Sequence, residues 1–428
     1  MCWHAQPVWN GSASDADWPE HPLTPDTLFC RLVGIILNAP SLVQPLLAPF
    51  GVQHFSYVPS FGILSTHPPT PCGLATFSAA LSDGLQAKGA DVTVVRVADE
   101  STSERPNVIG ELVNGSSSSV KECSELLNRS DVAVIQHEYG IYGGADGDDV
   151  LDIVDGLRVP SIVVAHTVLK HPTPHQRSVL QTLAATADHI VVMSEAARRR
   201  LCAGFDVDSR KVSTISHGAA VPSGPAQKRP SRPTLLTWGL LGPGKGVERV
   251  IESMTSLKDL PGRPQYLIAG RTHPKVLADH GEAYRDARKD QARRRGVADS
   301  VSFDSRYWGV SKLPVLIQSA SVVVLPYDST DQVTSGVLVD AIACGRPVVA
   351  TAFPHAVELL GTGAGIVVGH DDPDAMALAL RQVLTQPRLA GSMAGEARRL
   401  APQMAWSVVA SAYLSLADRL LDHRRAVA

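Results

Sequence analysis

The sequence predicts an α/β protein built from two doubly wound parallel-sheet domains. Three observations predict it. From Tyr57 onward, short β-branched apolar runs alternate with amphipathic stretches, the pattern of βα units feeding a parallel sheet. A segment rich in Pro and Ser, 221–233, interrupts that pattern once, and the pattern then restarts. Hydrophobic residues make up 44% of the chain and charged residues 19%, enough apolar side chains for substantial cores and too many for a disordered chain.

The elements follow in order. Phe61–Thr66 reads as a first strand, and Gly73 opens a helix whose apolar face carries Ala80, Leu81 and Leu85. Val92–Val97, Val132–Gln136, Ser161–Ala165 and His189–Met193 read as further strands, with a helix around Glu122–Leu127. Each run is short and apolar throughout, as a strand covered on both faces should be. Beyond the linker, Thr234–Trp238, Gln265–Ala269, Val301–Phe303, Ser321–Leu325, Pro347–Thr351 and Gly365–Val368 repeat the pattern. Asp372 followed by Pro373 reads as the N-cap and first position of a helix over Asp374–Leu384. A last apolar helix spans about Val408–Leu421. The expected organisation is a first domain over 56–225, a second over 226–400 and a C-terminal helix within 401–428.

Residues 1–55 belong to neither domain. Met1–Pro25 has no period, and the apolar stretch Thr27–Phe50 is broken by Pro40, Gln44 and Pro45, so it does not supply the roughly 20 unbroken apolar residues of a membrane span. The early charges are the acidic Asp15, Asp17 and Glu20, the wrong sign for a secretory leader. This segment reads as a disordered or loosely docked extension; an interfacial helix resting on a membrane or partner is the sharper alternative. The 39 Lys and Arg are balanced by 42 Asp and Glu, which gives no global drive toward nucleic acid. The six cysteines stand singly, with no framework for disulfides or zinc. The expected location is the cytoplasm, with peripheral contact at the inner face of a membrane left open.

Wound sheets bind ligands beyond the carboxyl ends of their strands, so the loops that follow strands carry the candidate chemistry. Gly73 ends the loop Thr66–Gly73 and lets a ligand approach backbone amides at a helix start; the same loop also reads as a simple tight turn. His137 and Glu138 follow one strand and His166 another, where a histidine can hydrogen-bond a substrate hydroxyl or stabilise developing charge; the same histidines also read as structural. His171 and His175 are separated by Pro172 and Pro174, which forbid the helix that would align them on a metal. Asp146-Gly-Asp-Asp149 reads as a solvated turn or helix cap. Gly239 to Gly246, with Lys245, forms a glycine-rich anion loop suited to a diphosphate, though not a Walker motif. Arg271 follows the next strand and could clamp a phosphate or a base. Gln332, Thr334, Ser335, Gly336 and Val337 precede and open a helix that contains Asp340: the helix amides suit phosphate, and Gln332 suits sugar hydroxyls. The basic runs Arg198–Arg200 and Arg293–Arg295 read as solvated helix faces.

These residues resemble the retaining GT-B glycosyltransferases of the family-4 type, which include bacterial mannosyl- and glucosyltransferases. The resemblance spans roughly Tyr57–Leu421. It is carried by Pro71-Cys-Gly-Leu-Ala-Thr-Phe77, His166, Gly239 with Lys245 and Gly246, and Gln332 through Asp340-Ala-Ile-Ala-Cys-Gly-Arg-Pro-Val-Val349. It implies two Rossmann-like domains facing a central cleft, and a last helix that crosses back to the first domain. It further implies Gly73 near the donor phosphate, His166 facing the reacting sugar and Lys245 neutralising the diphosphate. Gln332 would contact sugar hydroxyls, the amides of Ser335–Val337 would hold phosphate, and Asp340 would bind the ribose.

Two positions depart from the family pattern. Leu240 stands where the family often has Arg, and Gln332 stands at the first acid of the family's Glu pair. Losing one donor to a developing oxyanion costs about 3–4 kcal/mol, so Leu240 implies either a weak enzyme or a substitute cation, for which Arg271 is the candidate. The expected activity is transfer of mannose or glucose from a GDP- or UDP-hexose to an acceptor hydroxyl, with retention and with no metal or other cofactor. The acceptor is left open among carbohydrate, lipid-linked and small-molecule alcohols. The alternatives are a nucleotide-sugar epimerase or glycan phosphorylase on the same fold, and a non-catalytic nucleotide-sugar binder.

Overall fold

Short apolar strands that need cover on both faces dictate the architecture. The computed structural model describes residues 57–427 apart from 100, 102, 104, 225–229, 310 and 371. The expected extension over 1–55 and the middle of the expected linker lie outside the described residues.

The first domain runs β1 (Phe61–Ser65), α1 (Gly73–Gln86), β2 (Val92–Val97), β3 (Val108–Leu112), α2 (Ser117–Leu127), β4 (Val132–His137), α3 (Asp149–Asp155), β5 (Ser161–Ala165), α4 (Pro174–Thr186), β6 (His189–Val192), α5 (Glu195–Gly204) and β7 (Val212–Thr214). Its strands form one parallel sheet in the order β3-β2-β1-β4-β5-β6-β7. The second domain runs β8 (Thr234–Trp238), α6 (Val247–Leu257), β9 (Gln265–Ala269), α7 (Pro274–His280), α8 (Ala283–Arg294), β10 (Val301–Asp304), α9 (Leu313–Ser319), β11 (Val322–Leu325), α10 (Gly336–Ala343), β12 (Val348–Thr351), α11 (Pro354–Leu360), β13 (Gly365–Val368), α12 (Pro373–Thr385) and α13 (Pro387–Leu400), and the chain ends in α14 (Trp406–Val427). The second sheet is also parallel, in the order β10-β9-β8-β11-β12-β13.

The strand order reverses between β1 and β4 in the first sheet and between β8 and β11 in the second. A crevice forms beyond the strand ends at such a switch point, and here the two crevices meet. Every residue of β1, β4, β5, β8, β11 and β12 is buried, because helices cover both faces. One face of the first sheet packs Leu64, Ile135 and Val163 against α2, α3, α4 and α5; the other packs Phe61, Val94 and Ile162 against α1 and α14.

Two strands escaped the sequence reading. β3 is an edge strand whose residues alternate between half-buried and exposed until Leu112, so it lacks the continuous apolar run of a central strand. β7, at the opposite edge, has only three residues. The reading of Pro172 and Pro174 as helix breakers is refined: Pro174 is the first residue of α4, capped by Thr173 in a reciprocal capping box with Gln176. His171 is therefore outside the helix. His175 lies inside it, with Nδ1 3.1 Å from Asp146 Oδ2. Among the described residues, no group of three or more His, Cys, Asp or Glu is arranged to hold a metal ion.

The chain crosses between the domains twice, and the crossings pair. Ala219 N donates to Met404 O at 2.7 Å, and Ala219 bridges Ala405 in parallel. α14 then packs on α1 in the first domain, with Val409, Ala410 and Tyr413 in the same core as Phe77 and Leu81. The helices approach closely at Gly84, where a Cβ would sit 3.3 Å from both Ala410 Cβ and Trp406 O. Among the described residues, no helix is long and apolar enough to cross a membrane.

Candidate active site

The two crevices enclose one cavity of about 510 Å³. Its first-domain wall begins at the N-terminus of α1. Cys72 caps that helix, with Sγ accepting from Ala75 N at 3.3 Å, and Gly73 is its first residue. A Cβ at Gly73 would meet nothing within 4 Å, so the backbone there faces open space.

The loop that delivers Gly73 is tied down by Arg96, a fully buried guanidinium on β2. It donates to His67 O at 3.3 Å, Thr70 Oγ1 at 3.1 Å and Glu111 Oε1 at 2.6 Å, and it also pairs with Asp99. Burial works to raise the Asp99 carboxyl, but hydrogen bonds from Ser101, Thr70 and Arg96 outweigh it and hold the group well below the usual carboxylate range.

His166 leaves the end of β5 into the cavity. Its Nε2 donates to the Gln136 amide oxygen at 2.6 Å, which leaves Nδ1 as the acceptor. Burial, with His217 and His137 nearby, pushes its pKa down to about 3, so the ring is neutral. Phe77 packs its ring edge-on to both His166 and His217, with centroids at 4.9 and 5.0 Å.

The second-domain wall carries the charge. Lys245 reaches the cavity with Nζ 4.6 Å over the Tyr327 ring. Arg271 lines the cavity beside it. Among the described residues, neither cation has a carboxylate within ion-pair distance, whereas Arg249, nearby on α6, is paired with Asp328. Ser335 caps α10, its Oγ accepting from Leu338 N at 3.3 Å. The next two amides, of Gly336 and Val337, have no acceptor among the described residues and sit at the positive end of the helix. Asp340, one turn further into α10, also lines the cavity; burial raises its carboxyl to about 7.

Nine of the residues expected at the site therefore line one cavity: Gly73 and His166 from the first domain, and Gly239, Lys245, Arg271, Thr334, Gly336, Val337 and Asp340 from the second. The other five do not, and each has a local reason. His137 is wholly buried at the end of β4 against Tyr139, and burial pushes its pKa down to about 4. Burial also raises the Glu138 carboxyl, which accepts a bond from Thr167 Oγ1. Gly246 takes φ 65° at the start of α6, and a Cβ there would overlap Pro326 O, so this glycine serves loop packing. Gln332 turns onto its own loop, Nε2 donating to Thr334 O at 2.9 Å. Ser335 spends its amide on His355 Nδ1 at 2.9 Å, so the expected trio of anion-binding amides shrinks to two.

The basic run Arg198–Arg200 is corrected as well. Arg199 is exposed, but Arg200 Nη1 donates to Val168 O at 2.9 Å and across the cleft to Asp331 O at 2.6 Å. Ser194 Oγ donates to Val333 O at 2.5 Å, and Glu358 accepts from Glu195 N at 3.0 Å and Ala196 N at 2.6 Å. The first domain thus grips the loop that leads into α10. Sequence reading missed His217 and Trp406, which line the cavity from the two crossings. His217 follows the short edge strand β7, and that strand was the signal that would have pointed to it.

The comparisons with known proteins divide the chain at the same crossing. Residues 71–221 match a family model described as Glycosyltransferase Family 4, and residues 224–400 match one described as Glycosyl transferases group 1. A D-inositol 3-phosphate glycosyltransferase of Kineococcus radiotolerans is 26% identical over 64% of this chain and 69% of its own. A GDP-mannose-dependent alpha-(1-6)-phosphatidylinositol monomannoside mannosyltransferase of Mycolicibacterium smegmatis is 26% identical over 55% of this chain and 63% of its own. A D-inositol 3-phosphate glycosyltransferase of Streptomyces griseus reaches 37% identity, but the match covers only 31% of this chain and 28% of that protein. Among solved structures, Anabaena HepE in complex with UDP superposes with a TM-score of 0.68 at 14% identity, covering 84% of this chain and 100% of that one. WaaG, a glycosyltransferase involved in lipopolysaccharide biosynthesis, gives 0.59 at 17% identity over 83% and 99%. At these identities the structures speak for the fold alone.

Proposed function

Because this chain belongs to the GT-B glycosyltransferases of the family-4 type, we propose that it moves a hexose, mannose or glucose, from a nucleoside diphosphate sugar to an acceptor hydroxyl with retention of configuration. The observation that carries this reading is that two cations with no carboxylate partner among the described residues, Lys245 and Arg271, line one cavity with the two open amides of Gly336 and Val337. Four positive elements, set against the single Asp340 carboxyl that burial raises to about 7, suit a diphosphate.

In this reading the glycosidic bond breaks toward an oxocarbenium-like state while the leaving diphosphate gains charge. Lys245, Arg271 and the α10 amides stabilise that charge from the protein's own groups, which leaves no role that requires a metal. Asp340 holds the ribose hydroxyls. His166, neutral and fixed in one tautomer by Gln136, offers Nδ1 to a hydroxyl of the transferred sugar. Gln332 steadies the loop above α10. The acceptor enters along the first-domain wall. A GDP-linked donor and a polyol acceptor, free or lipid-linked, fit the names of the relatives, and a UDP-linked donor is the second candidate.

The test is Lys245→Ala in parallel transfer and donor-hydrolysis assays with UDP- and GDP-hexoses. The reading expects kcat/KM to fall about 10²–10³-fold, the cost of removing one donor to a developing oxyanion. Unchanged catalytic efficiency would refute the site. Leu240 and Gln332 favour one rival, a non-catalytic binder: donor binding without turnover across an acceptor panel would establish it.

A further inference from the structure

His217 sits where both domains meet the cavity. It lies on the crossing between β7 and β8, with its ring edge-on to Phe77 of α1 and tilted against Trp406 of α14 at 6.1 Å. Its Nδ1 lies 2.7 Å from Gly218 O. A carbonyl oxygen only accepts, so Nδ1 carries the hydrogen and, in the neutral ring, Nε2 is a bare lone pair. That Nε2 has no hydrogen-bond partner among the described residues. It abuts the first residue of α10: a Cβ on Gly336 would come within 2.7 Å of Nε2 and 2.9 Å of Cε1. Glycine at 336 thus makes room for the imidazole beside the open amides of Gly336 and Val337.

An anion seated on those amides would face the Nε2 lone pair, which would repel it. The conflict disappears if the ring gains a proton. Resting on the diphosphate reading above, we propose that His217 is a conditional cation of the phosphate subsite. It is neutral in the empty cavity, takes a proton from solvent as the diphosphate arrives, and donates Nε2–H to a phosphate oxygen at the start of α10. The ring thereby supplies part of the charge that Leu240 withholds.

The surroundings fit a ring poised between two states. Burial pushes its pKa down to about 4, while the Gly218 carbonyl on Nδ1 works in the opposite sense. The titratable groups around it are His166 at the end of β5 and His355 on α11, both kept neutral by burial; Cys72 at the head of α1; Asp340 and Cys344 at α10; and the cations Lys245 and Arg271. Asp340 is pushed up to about 7, so its carboxylate is formed at the pH of the titration below, and the Asp340→Asn arm separates its charge from that of the ring. The incoming diphosphate supplies the negative charge that favours protonation.

The test is calorimetric titration of the full chain with UDP, GDP and ADP at pH 8 in two buffers of different ionisation enthalpy. At that pH the free nucleotides carry their full charge and give up no proton of their own. By linkage, wild-type protein takes up a net fraction of a proton per nucleotide bound. The uptake disappears in His217→Gln and His217→Asn and persists in Asp340→Asn. Wild-type affinity also falls as pH rises from about 7.5 to 9, and that slope flattens in both His217 variants. A cooperative thermal melt of each variant establishes that it is folded. Nucleotide binding with no uptake in wild type, or with equal uptake in the His217 variants, overturns the proposal and leaves the donor reading intact. Failure of all three nucleotides to bind wild type overturns both.

Discussion

The two sheets share one cleft, yet they bring different chemistry to it. The first contributes a neutral histidine, His166, an aromatic edge, Phe77, and a glycine backbone, Gly73, with no lysine or arginine among its described cavity residues. The second contributes Lys245, Arg271, two open amides and a carboxyl raised to about 7. One wall suits an uncharged sugar, and the other suits a nucleoside diphosphate. The two walls meet at His217 and Trp406, on the paired crossings between the domains.

The comparison can be broken at several points, beginning with the charged wall. Lys245→Ala should have the largest effect, the 10²–10³-fold loss described above. Arg271→Ala should follow, with kcat/KM reduced about 10- to 100-fold, the range expected when a charge-assisted hydrogen bond is lost. Leu240→Arg should restore much of the loss in the Arg271→Ala background and do little in wild type. Equal gains in both backgrounds would mean that Arg271 is not the substitute cation.

The contact between the walls should matter less. Arg200→Ala removes the bond to Asp331 O and loosens the loop ahead of α10. Donor KM should rise about tenfold with kcat changed far less. Steady-state kinetics with saturating acceptor separate the two, and an equal fall in kcat would give Arg200 a role in chemistry.

The smallest effect concerns stability. The Asp340 carboxyl is raised in the folded state, so its contribution to stability is fully present below the unfolded carboxylate pKa of about 4 and is lost as pH rises toward 7. Asp340→Asn removes that dependence. Its Tm should gain on wild type by a few degrees between pH 4 and 7, then hold a constant offset. A gap that does not change with pH would mean the carboxyl is not held protonated by burial.

Most of the fold was legible because its central strands are buried on both faces and read as unbroken apolar runs. The edges were not: β3 is interrupted by Gly110 and Glu111, and β7 is too short to show a pattern. The site was legible where one loop carries its own chemistry, as from Gly239 to Lys245. It was not legible where a distant partner decides the role. His355 takes the Ser335 amide, Pro326 O claims the space at Gly246, and Arg96 holds the loop that delivers Gly73. Arg96 read only as one residue of a strand, because its partners at 67, 70, 99 and 111 come together only in the folded chain.

The central claim is that the charged wall holds a nucleoside diphosphate. Thermal melting of wild type and Lys245→Ala with UDP, GDP and ADP tests it most directly. A nucleotide at a hundred times its Kd stabilises the folded chain by about 2.7 kcal/mol. The account predicts that one base raises the wild-type Tm by several degrees and that Lys245→Ala loses most of that rise. No shift with any nucleotide, or an equal shift in the variant, would contradict it.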